Sequence, residues 1–141
     1  MRYFFLLSTV CFLFFSCKKE LDIESYWNCN KNQQLDSATI SSKMVGSWKW
    51  TKQSCFESKT IKADKNVIAS FNANGTFTVS ENATVITQGS WTLEKIDTDL
   101  WELDCSPTSS YLFGRILFCG EEVLFNDSGL DGCDNLFKRI Y

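Results

Sequence analysis

The sequence predicts an all-β fold: an eight-stranded antiparallel up-and-down β-barrel over residues 44–141. Three observations predict it. From Gly46 onward apolar residues recur with period two, and no helical period is sustained. Turn residues divide the 96 residues from Gly46 to Tyr141 into about eight segments, a mean repeat of about 12 residues that suits a sandwich or barrel. The connections are mostly short, which makes successive strands antiparallel neighbours, and the first and last segments carry groups that meet if the sheet closes.

In the first strand Trp48 and Trp50 share one face, with Lys49, Thr51 and Gln53 on the other. Val67, Ala69 and Phe71 alternate with Ile68 and Ser70. Asn72-Ala73-Asn74-Gly75 then turns the chain into Thr76–Ser80, where Phe77 and Val79 face inward. Glu81-Asn82-Ala83 turns it again into Thr84–Thr87, and Gly89 predicts a bend or bulge before Trp91 and Leu93. Leu100–Cys105, Tyr111–Phe118, Glu122–Phe125 and Asn135–Tyr141 supply four more strands. The single proline, Pro107, falls in a loop.

In a closed meander the first strand runs antiparallel beside the last. That brings Cys55 to Cys133 for a disulfide and Trp48 to Arg139 for a cation–π contact, both fastening the closure. Eight strands enclose an interior that side chains fill or that holds one small ligand. Trp50, Val67, Phe71, Phe77 and Trp91 are the candidate pocket residues, and core packing is the competing role for the same side chains.

Val45-Gly46-Ser47-Trp48 opening the first strand, with an arginine late in the last, resembles the lipocalin pattern. The stretches Phe71-Asn72-Ala73-Asn74-Gly75-Thr76-Phe77, Gly89-Ser90-Trp91-Thr92-Leu93 and Asp131–Arg139 resemble bacterial lipocalin-like domain lipoproteins. The resemblance covers roughly residues 44–141 and implies a barrel that binds a small apolar molecule.

The amino terminus supplies an address. Residues 1–16 read as a signal peptide, with Arg2 ahead of an apolar run from Tyr3 that is too short to span a bilayer. Leu13-Phe14-Phe15-Ser16-Cys17 resembles the lipobox of bacterial lipoproteins, which implies acylation of Cys17 and a membrane anchor. Lys18 gives no reason for inner-membrane retention, so the expected location is the outer membrane, on its periplasmic or cell-surface side. Residues 17–43 are polar and are expected to form a flexible tether. Tyr26-Trp27 is the exception, a pair able to dock on the domain, and a short helix around Ile40–Val45 would be capped by Ser37 or Thr39.

Composition removes several function classes. Beyond residue 16 the chain has 13 basic and 17 acidic residues, and no basic patch of the kind that binds nucleic acid. The absence of histidine excludes a Ser–His–Asp triad, a Cys–His dyad and every His-ligated metal site. No cofactor, metal or catalytic residue is expected. The acidic loop from Asp127 to Asp134 fails the calcium-loop pattern, and Glu102 with Asp104 reads as surface strand charge. Five cysteines remain after Cys11 and Cys17 are set aside, an odd number that leaves one thiol over. Cys105–Cys119 is the expected second disulfide, with Cys29–Cys119 as its rival. The sequence thus predicts a non-enzymatic binder of a small apolar ligand. A protein partner engaged through the loops, as by an inhibitor of a lysozyme or protease, is the alternative.

Overall fold

A computed structural model describes residues 21–55 and 60–141. Among the described residues, nine strands form one antiparallel sheet: β1 (Gly46–Cys55), β2 (Ile61–Lys62), β3 (Val67–Phe71), β4 (Thr76–Glu81), β5 (Thr84–Asp97), β6 (Leu100–Ser106), β7 (Arg115–Cys119), β8 (Glu122–Asn126) and β9 (Cys133–Ile140). The sheet order is β2-β1-β3-β4-β5-β6-β7-β8-β9, and β1 also pairs with β9, so eight strands close into a barrel with β2 as an appendage on β1. The closing register sets Cys55 opposite Cys133 and Trp48 opposite Arg139.

The Cys55–Cys133 disulfide is present. The Arg139 guanidinium lies 4.2 Å from the Trp48 ring centroid. It also donates to the carbonyls of Lys43 and Val45. Trp48 in turn donates its indole N–H to the Met44 carbonyl at 2.8 Å. Gly46, at φ +131°, leaves the space in which this guanidinium sits; a β-carbon there would come within 2.6 Å of it.

Residues 21–43 correct the tether expectation. They hold α1 (Ile23–Lys31) and all but the last residue of α2 (Ser37–Met44), both helices packed on the barrel. Asp22 caps α1 by accepting from Ser25 N–H, and Asp36, rather than Ser37 or Thr39, caps α2 by accepting from Thr39 N–H. The α2 helix sends Ile40 and Met44 into the main core at the Trp48 end. The α1 helix lies on the outside: its Tyr26, with Leu21 ahead of the helix, covers Leu117, Leu124 and Leu136, outward-facing residues of β7, β8 and β9. That cover explains why β7 and β8 are buried on both faces, against the usual alternation of a barrel wall. The Tyr26 hydroxyl donates to Glu122, and burial followed by this bond pushes its pKa up.

The second disulfide is Cys29–Cys119, which corrects the expected Cys105–Cys119 pair. Cys105 faces inward on β6, opposite Trp91, and is a free buried thiol. A tight β6–β7 hairpin could not have placed it near Cys119, whereas α1 lies against β7. Burial pushes the Cys105 thiol up to about 12, which keeps it protonated and unreactive at neutral pH.

Strand limits also differ from expectation, most at β5 and β7. β5 runs unbroken for 14 residues through Gly89. Glycine is needed there because a β-carbon would collide with the Ser106 carbonyl and lie 2.7 Å from Pro107. Residues 111–114 are not part of β7; they belong to a loop that folds back over the barrel mouth.

Candidate functional site

The expected pocket is a packed core. Trp50, Val67, Phe71, Phe77 and Trp91 all belong to one buried cluster, joined by Phe118, Phe125 and Phe137 from the far wall. A void able to admit water would leave its walls with accessible surface, yet Val67, Ala69 and Val79 are 0% exposed, Phe77 1%, and Phe71, Trp50 and Trp91 only 2%, 4% and 6%. The aromatic rings occupy the space. Phe71 meets Trp91 edge-on at 5.6 Å and lies 6.3 Å from Phe77 in a stacked arrangement.

Both ends of the barrel are covered. The α2 helix closes one. At the other, the loop after β6 inserts Leu112, which is 1% exposed, and sets Tyr111 edge-on to Trp50 at 5.3 Å. Tyr111 donates to Glu81 at 3.2 Å, and Lys65 reaches the same carboxylate at 3.1 Å. Asn135, buried beneath, accepts from Trp50 Nε1 and Gln53 Nε2, both at 3.1 Å.

The acidic loop is a structural staple. Asp134 is completely buried, and one carboxylate oxygen accepts from Asn126 Nδ2 and from the backbone N–H groups of Asp127 and Ser128. Among the described residues, no group of three or more Asp, Glu or Cys side chains converges as metal ligands would. Glu102 and Asp104 stand on the outer face of β6, where Leu103 and Cys105 turn inward.

An open hollow lies outside the barrel, at a seam in its wall. β6 and β7 pair only at Glu102 and Arg115, so the outer edge of β7 beyond that point lacks a strand partner. Side chains next to and within α1 take the place of one. Asn30 Oδ1 accepts the N–H of Phe118 at 3.0 Å, and Gln33 Nε2 donates to its carbonyl at 2.8 Å. The seam widens toward the β5–β6 turn. There a cleft of about 310 Å³ opens between the helix, with Trp27, Asn28, Asn30 and Lys31, and the hairpin tip, with residues 97–100. The Arg115 guanidinium lies 5.8 Å from the Trp27 ring centroid and so supports the ring from the strand side.

None of these cleft residues was among the candidate site residues. The only signal was the Tyr26-Trp27 pair, conspicuous in a polar segment. A second hollow, of about 220 Å³, lies between α2 and the β3–β4 turn, beside Trp91 and Leu93. Elsewhere on the surface, Val85 and Ile86 stand 55% and 48% exposed near the β4–β5 turn. No protein family, curated protein or solved structure matches the chain.

Proposed function

We propose that this chain is a non-enzymatic binding protein, held at a membrane by lipid on Cys17, which recognises its ligand on the outside of the barrel. The filled interior carries this reading: the side chains that would line an internal pocket fill it instead. Carriage of an apolar ligand inside, as the lipocalin resemblance implies, would require Trp50, Phe71 or Trp91 to leave a close-packed core. The cleft at the β6–β7 seam is already open. A protein partner is the second reading, favoured by Val85 and Ile86, consecutive exposed apolar residues near the β4–β5 turn.

Cys17 and the signal segment lie outside the described residues. The lipobox resemblance supports the anchor, and an acylated cysteine bearing several chains would hold where one chain holds only marginally. Leu21, the first described residue, is already packed on the barrel, and its N–H donates to Thr60 Oγ1 at 3.2 Å. Four residues span at most about 14 Å, so the barrel would sit close to the membrane rather than at the end of a long tether.

Native mass spectrometry of the protein extracted from its own membrane tests both parts. The expected species begins at Cys17, carries acyl groups there and retains no apolar small molecule. One apolar molecule retained per chain would overturn recognition outside the barrel, and an unmodified Cys17 would remove the anchor.

A further inference from the structure

We propose that the cleft between α1 and the β5–β6 hairpin is a binding site for a neutral saccharide. The assignment rests on recognition outside the barrel and goes on to name the ligand class. The cleft volume of about 310 Å³ falls at the small end of small-molecule sites, which run from roughly 300 to 1,000 Å³.

The lining sets Lys31 against Asp97 and Asp99, a net negative charge that disfavours an anionic ligand. A neutral polyol meets all three, because each hydroxyl both donates and accepts. Asn30 adds a fixed donor: its oxygen is committed to Phe118 N–H, which orients the amide and leaves the nitrogen as its donating end.

The apolar part of the lining fits the same ligand. Trp27 and Leu100 give the cleft an indole ring and an aliphatic side chain beside these polar groups. A pyranose ring offers C–H groups to an aromatic face and hydroxyls around its rim. The helical wall is also held rigid. The Cys29–Cys119 disulfide lies between Asn28 and Asn30, and Arg115 supports Trp27. A site fixed before binding loses less freedom when the ligand arrives.

The indole N–H signals of the five tryptophans report the outcome by position. The full-length protein is titrated with glucose, N-acetylglucosamine and cellobiose, and separately with putrescine. The expected result is saturable movement of the Trp27 signal by at least one sugar, with a Kd of about 1 mM, while Trp50 stays still. Asp97 and Asp99 are exposed, so D97N combined with D99N leaves the fold intact and is expected to weaken that sugar at least tenfold. W27A removes this reporter together with the ring, so its sugar binding is read by titration calorimetry and is expected to be lost, with an unchanged unfolding midpoint reporting that the fold survives.

A silent Trp27 signal with every sugar up to about 50 mM overturns the saccharide assignment alone. Movement of Trp27 by putrescine and not by sugars overturns it in favour of a cation. Sugar-dependent movement of Trp50 overturns recognition outside the barrel.

Discussion

Replacing Cys55 and Cys133 together by serine is expected to destabilise the domain by about 3–4 kcal/mol, read as a lower denaturant midpoint with intact Cys29–Cys119. The bond joins residues 78 apart in sequence, and a loop of that length corresponds to about 4.5 kcal/mol of unfolded-chain entropy. Residual structure in the unfolded state lowers the realised value. The native side matters as well. Cys55 and Cys133 face each other at the ends of the β1–β9 ladder, so the bond fixes the register of the closing strands. Two serines would leave that ladder with its hydrogen bonds but without the covalent stop at its end. A loss under about 1 kcal/mol would mean that the ladder closes the barrel unaided.

W48A is expected to cost about 4–5 kcal/mol, near the top of the range for a buried aromatic truncated to alanine. Trp48 is 1% exposed and touches three parts of the closure at once. Its ring packs 6.0 Å from Phe118 and lies under Arg139, and its N–H holds the end of α2 through the Met44 carbonyl. W48F keeps most of the ring and loses the hydrogen bond, and is expected to cost about 1–2 kcal/mol. R139M keeps a long side chain but releases the Lys43 and Val45 carbonyls and the cation–π contact. In a double-mutant cycle, W48F and R139M are expected to couple by about 1 kcal/mol, because both act on the same junction between α2 and the closing strands. Additive effects in equilibrium unfolding would mean that the two side chains stabilise the end of the barrel independently.

The closure was legible because it depends on counting. A period-two pattern with short turns fixes strand direction, and direction alone brings Cys55 to Cys133 and Trp48 to Arg139. The helices at residues 23–31 and 37–44 were not legible as packed structure. Their segment holds few apolar residues, and what fixes it is long-range: a disulfide to β7 and two side-chain amides that complete the edge of Phe118. Asn30 and Gln33 look like solvated polar residues until the strand they serve is in place.

The same limit hid the cleft. It exists because β6 and β7 diverge after one pair, and no local pattern announces a divergence between neighbouring strands. Tyr111 and Leu112 misled in the opposite sense. They are apolar and precede a true strand, so they read as its beginning, yet they turn inward and cover the mouth. Gly89 was legible as special, but for the wrong reason: it makes room for Ser106 and Pro107 beside a continuous strand.

The filled interior is tested most directly by pressurising a crystal of the protein with xenon, which enters apolar cavities that exclude water. A packed core predicts no xenon in the space bounded by Trp50, Phe71 and Trp91. Xenon bound among those three side chains would contradict it and return the ligand to the inside of the barrel.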